Sequence, residues 1–443
     1  MHSTIQRGLP VVLAAMLATP PAFAVSGDDF EFHGYFRSGI GGNSEGGDQV
    51  CFFLPNAGAK YRLGNECETY SELQFDGTLY RGENDAYFKA FSLLAFVVEG
   101  ENDFEQDEPA VRQMFVEAGN LFDGALAGAK FWAGKRFYRR HDVHINDFYF
   151  WDMSGTGGGI EDLDVGFGKI AFAWFANVND QFQNVEVTDV DGNPVTIQLA
   201  GGSVDGGRIQ VEDDAMNRFD LRLYNIETNP GGTLTLGLDL RFPSESRDDF
   251  DPDNGYGINV LHFQNDVLGG FNKIIFQYGQ DAAANVGNGF IIGGNDGNND
   301  ADPWTFRVVE QLLIQPTDDF SMLTDFVYER NEDWFYADGR DRKWFSFGAR
   351  PKYYFNDYLN FAFEFGYDYV DIDGKHSHLY KFTPTLQLSA GRGFFARPAL
   401  RLFATYATWD DTAQENGIVG GVDGVFGDDT SGWTYGVQAE TWW

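Results

Sequence analysis

The chain of 443 residues is short of several things, and each shortage narrows its class. Only 31 lysines and arginines stand against 67 aspartates and glutamates, a formal net charge of −36. That excludes a nucleic-acid partner, because binding phosphates takes a basic surface. There are only 2 cysteines, Cys51 and Cys67. On an exported chain two such thiols pair rather than stay free, and neither state implies catalysis. Prolines number 14. After the first two dozen residues no apolar run approaches the roughly 20 residues that a helix needs to cross a bilayer.

The first 24 residues read as a secretory signal. Arg7 precedes the apolar run 9–18, and Ala22-Phe23-Ala24 supplies the small-residue cleavage site, leaving 443 − 24 = 419 residues in the mature chain 25–443. The composition then argues against an ordinary soluble protein. Aromatics reach 16%, with 43 Phe, beside 54 Gly, a mixture suited to many strands, tight turns and the aromatic girdles of membrane barrels. In such a barrel the negative charge falls in external loops and a wet lumen, where it favours cations.

The C-terminal "WTYGVQAETWW" decides between the two. Trp433, Tyr435, Val437, Ala439, Thr441 and Trp443 share one parity; Thr434, Gly436, Gln438, Glu440 and Trp442 share the other. Side chains of a strand alternate between faces, so one face is apolar to its end and the other polar. In "FAFEFGYDY" five aromatics, Phe361 to Tyr369, again occupy one face. So many rings on one strand face fit a lipid-facing belt better than a packed core. The fold class is therefore an all-β transmembrane antiparallel barrel, and a mature chain of this length allows roughly 16 to 18 strands.

Parity leaves some aromatics on the polar, lumenal side. In "FEFHGYFRS", Tyr35 points inward with His33 and Arg37. In "RLGNECETYSELQF", Tyr70 goes with Arg62, Glu68 and Glu72, while Leu63 joins the lipid set. In "GFNKIIFQY", Phe271 goes with Lys273 and Gln277. In "FFARPALRLFATY", Phe395 goes with Arg397 and Arg401, and Trp442 is the fifth case. Rings beside ionised groups suit sugars, whose C–H faces pack on aromatics while their hydroxyls bond to charged side chains.

The blocks "FHGYFRSGIG", "KYRLGNECETYSEL", "WAGKRFYRRHDVHINDFYFWDMSG", "IEDLDVGFGK", "NPGGTLTLGLD", "GFNK" and "ARPALRLFATYATWD", with the Trp-Trp terminus, resemble the maltoporin family. The resemblance is dense over about 30–170 and 344–443 and patchy between. It implies an 18-stranded homotrimeric outer-membrane channel for maltose and maltodextrins, with no cofactor. It places an aromatic slide on Tyr35, Tyr70, Phe104, Phe271, Phe395 and Trp442, with Phe104 arriving on a loop of the neighbouring subunit. Where this chain has Phe104 and Phe395 the family often has Trp, a larger stacking surface.

By the same resemblance 134–152 belongs to an external loop folded into the barrel as a constriction. Tyr149 would be its gate. Arg37, Arg62, Glu72, Arg112, Arg140, Asp142, His144, Asp147 and Asp152 would form the constriction and polar track.

Read without the resemblance, His141 and His144 with two aspartates could hold a metal, but no helix or second cluster completes the set. Asp142 and Asp147 as an acid–base pair stand among Arg and His, which suits ionised carboxylates and not a general acid. The acidic run 249–253 resembles a calcium loop but has Asn254 where Gly is required, so structural calcium stays an open, minor possibility. The stretch 285–303 reads as a solvated loop. Rivals to the maltodextrin reading are a sucrose or other oligosaccharide porin, a general cation-favouring porin, and a plugged structural barrel.

Overall fold

The computed structural model describes residues 29–98, 108–185, 196–199, 202–205, 207–244, 253–287, 301–334, 339–415 and 425–443. The signal segment 1–24, Phe104 and most of the acidic run 249–253 lie outside them. Eighteen antiparallel strands form one closed sheet, each bonded to its neighbours in sequence. The first, Phe30–Asn43, pairs with both the second, Thr69–Arg81, and the last, Ser431–Trp442. Closure leaves no unpaired edge, which is the condition for crossing a bilayer with strands.

Burial is inverted relative to a soluble protein. In the strand Ala399–Trp409, Arg401 is 5% exposed while its neighbours Leu400 and Leu402 are 55% and 58% exposed. Glu364 and Asp368 are buried within Leu359–Ile372, while Phe361 lies outside. Apolar side chains thus face outward and charged ones fill the interior. Tyr256, Tyr278 and Trp304 form a chain of rings near one rim, and Phe32, Phe75 and Trp443 another near the opposite rim. Among the described residues no helix is long and apolar enough to cross a membrane.

The two ends differ. One carries short turns, such as 230–231, 268–269 and 318–319. The other carries long connections, among them 44–68, 137–154 and 281–303. Two of these long loops fold into the barrel. Phe52, Leu54, Tyr61 and Leu63 of 44–68 are at most 2% exposed, as are Phe150, Trp151 and Met153 of 137–154. A buried loop must satisfy its backbone, and here wall side chains, mostly cations, do so. Lys381 donates to the Leu63 carbonyl (2.8 Å), Arg222 to that of Arg139 (2.8 Å), Lys273 to that of Asp142 (3.0 Å), and Gln277 to that of Phe150 (2.9 Å).

Two strand predictions are corrected here. Arg62 and Leu63 are not on a strand, because the wall resumes only at Thr69; Leu63 packs inside the barrel instead of facing lipid. Phe395 and Arg397 precede the strand Ala399–Trp409 and lie in the turn 390–398, which bends into the lumen. The strand Lys130–Arg136 also takes the first residues of 134–152, so the inward segment is 137–154.

Cys51 and Cys67 are joined, with Cα atoms 5.9 Å apart, and close the first inward loop on itself. Such a closure is worth roughly 3 kcal/mol in the chain-entropy model. Mass spectrometry of the unreduced protein is expected to give one cross-linked peptide and no alkylated thiol, and C51S/C67S should unfold at lower temperature.

Candidate functional site

The lumen between the two inward loops holds most of the residues that the sequence singles out. Tyr35 and Trp442 are paired across adjacent strands, and the rings of Tyr35 and Tyr70 lie 6.0 Å apart. The Arg37 guanidinium sits over Tyr70 at 5.0 Å and that of Arg397 over Trp442 at 4.3 Å. Tyr35 donates to Glu440 (3.1 Å) and accepts from Arg62 (2.9 Å), and Tyr70 donates to Glu72 (2.5 Å). Phe395 meets the His144 ring edge-on at 5.1 Å, and His144 reaches Trp442 at 6.2 Å. Phe271 stands apart on its own strand, against Phe263 at 5.5 Å.

One carboxylate organises the charges. Glu440, 2% exposed, accepts from Arg62 (3.1 Å) and Arg397 (2.8 Å), and also from Arg401. Arg62 further pairs with Glu66 (2.7 Å) and Asp147 (3.9 Å), and Arg37 with Glu66 (3.3 Å) and Glu68. Buried charges persist only when paired in this way, because removing an ion from water costs several kcal/mol per ion after relaxation. The same network places guanidinium groups against the rings of Tyr70 and Trp442.

The hairpin His141–Val143 and Phe148–Trp151 carries the narrowest candidate point. Phe148, Phe150 and Trp151 are buried, so Tyr149, at 38% exposed, is the ring left facing open space. Arg140 lies between two rings, 3.6 Å from the centroid of Phe137 and 4.6 Å from that of Tyr149, and Arg112 covers the other part of Phe137 at 5.3 Å. Trp151 anchors the hairpin. Arg222 stacks on it at 4.0 Å, and Gly237 faces its ring so closely that a Cβ there would come within 2.3 Å. Asp152, expected on the track, has one carboxylate oxygen engaged locally: its Oδ1 accepts from the Ser154 amide (2.9 Å) and hydroxyl, closing a turn.

The sequence model of the LamB porin family matches residues 30–443. This chain belongs to the LamB porin family. Solved structures to which this chain is similar include OccAB1 of Acinetobacter baumannii, at 12% identity over 95% of this chain and 98% of that one (TM-score 0.49). Another is OpdK of Pseudomonas aeruginosa, crystallised with vanillate, at 11% identity over 94% and 99% (TM-score 0.45). Family and closed barrel together make this LamB-family porin an outer-membrane transport channel and not an enzyme.

Several residues that shape the porin's lumen were not singled out from sequence. Tyr61 and Asp325 gave no local signal, because they are partners 264 residues apart; Glu66, Phe137 and Phe263 meet Arg62, Arg140 and Phe271 close in sequence, but no motif marks them. Parity did place Glu440 on the polar face, but its partner Arg62 lies 378 residues away. His144, expected among the polar groups, lies instead in the aromatic cluster. Burial, with Arg62, Arg350 and Arg397 nearby, holds its pKa well below the usual histidine value, against the opposing pull of Glu440.

That shift has a definite sign. When the loop opens, His144 regains a pKa of about 6.5 and binds protons more readily. Its contribution to the closed loop is therefore full above about pH 6.5 and is lost as pH falls through the depressed value. Single-channel recordings should stay quiet at pH 7–8 and become noisier on acidification. His141 shifts in the same direction through its burial. H144Q, which leaves His141 in place, should reduce the acid response; an unchanged response would show that His144 does not govern it.

Proposed function

We propose that the porin is a homotrimeric channel for facilitated diffusion of maltose and maltodextrins. The observation that carries this reading is the strip Trp442–Tyr35–Tyr70, whose rings lie beside Arg397, Arg62, Arg37 and Glu440. A glucose ring has apolar C–H faces and a rim of hydroxyls. Stacking on successive aromatics while exchanging hydrogen bonds with fixed ions lets a linear chain advance one unit at a time. No single position holds it long, which conduction requires.

By the family resemblance Phe395, Phe271 and Phe104 would continue the slide; Phe271 stands on a separate strand, and Phe104 lies outside the described residues. Tyr149, with Arg140, Arg112, Asp142 and Asp147, narrows the path. Single-channel current through the purified porin tests the reading. Maltodextrins should interrupt it at lower concentration than sucrose or cellodextrins; equal block by all three would favour a broader oligosaccharide porin, and no block a general cation-favouring one.

A further inference from the structure

The two inward loops hold each other, and one of the points that joins them is a single oxygen of the wall. Asp325, on the strand Phe320–Glu332, is fully buried. Its Oδ2 accepts from the Tyr61 hydroxyl of loop 44–68 (3.2 Å) and from Asn146 Nδ2 of loop 137–154 (2.9 Å). Among the described residues no lysine, arginine or histidine pairs with it. Its role here is therefore that of a shared acceptor, not of half an ion pair.

Other contacts run between the same partners. The Arg62 amide donates to the Ile145 carbonyl (3.0 Å), a direct backbone bond from one loop to the other. Trp344, fully buried, meets Phe148 of the second loop edge-on at 5.1 Å. It faces Gly58 of the first, where a Cβ would come within 2.5 Å. Tyr61 itself lies against the wall at Gly348 and Gly366, where a Cβ would come within 2.0 and 2.1 Å of its ring. The disulfide-closed first loop is thus wedged between wall and hairpin, and Asn146 stands three residues before Tyr149.

We propose that Asp325 is a positioning residue that locks the loop 44–68 to the hairpin bearing Tyr149, so that the first loop sets the width of the constriction without lining it. The proposal deepens the proposed function and rests on the reading of 137–154 as the constriction. Its sharpest consequence is that a change in the first loop alters the pore through Asp325.

Asp325→Ala removes the one acceptor that both bonds share, whereas Asp325→Asn keeps a carbonyl oxygen where both bonds fall. Asp325→Ala should raise open-channel noise several-fold and speed maltodextrin dissociation, and Asp325→Asn should restore quiet, wild-type block. Tyr61→Phe and Asn146→Ala keep the carboxylate and serve should Asp325→Ala fail to assemble; their effects on noise should be non-additive when combined. Wild-type noise and block in these variants, with a conductance rise in Tyr149→Ala, would overturn the proposal while leaving the constriction in place. Wild-type conductance in Tyr149→Ala as well would overturn both.

Discussion

Replacing Tyr149 with alanine is expected to raise single-channel conductance several-fold and to blunt discrimination between sugars. The ring is the exposed member of a hairpin whose other aromatics are buried, so its removal opens space instead of collapsing a core. Arg140 would lose one of the two ring faces between which it lies and gain freedom to move. The hairpin itself should stay put, because Trp151, Lys273, Gln277 and Asn146 hold it from other directions. A change in conductance without a change in thermal stability is therefore the expected pattern. Wild-type conductance in this variant would place the narrowest point elsewhere.

What could be read from the chain beforehand follows the range of the interactions involved. The alternation in Ser431–Trp442 and Leu359–Ile372 is local and strict, so fold class, facing of the aromatics and lumenal side of Trp442 were all legible. The segment around Arg62 and Leu63 misled, because its apolar and charged residues alternate as a strand's do. It forms a loop because its backbone is claimed by the wall, through Lys381 and Glu364, more than 300 residues on. Parity puts Phe395 inward on a strand; it reaches the lumen on a turn. Asp152 has a side chain suited to a polar track, and only the position of Ser154 shows that one of its oxygens is engaged in a turn. No pattern marks Asp325, since its meaning lies in two loops that meet on it.

The second large effect concerns the aromatic lane. Phe271 and Trp442 lie on polar lumenal faces; Phe271 packs against Phe263, while Trp442 is 38% exposed. A stacking contact of this kind contributes about 0.5–1.5 kcal/mol beyond area burial. Since 1.4 kcal/mol is tenfold in affinity, Phe271→Ala or Trp442→Ala should each weaken maltodextrin block by roughly two- to twelvefold. Open-channel conductance should hardly change, because neither ring is on the hairpin. Arg397 and Glu440 remain bonded to each other in either variant, so a loss of block would report the ring and not the charges.

The most direct measurement is a maltodextrin titration of single-channel current in the wild-type porin and in Phe271→Ala/Trp442→Ala, at one pH and salt concentration. Weaker block in the double variant at unchanged open conductance is the result expected of an aromatic slide. Equal block in both proteins would contradict it, and the charged lumen alone would then account for whatever selectivity the channel has.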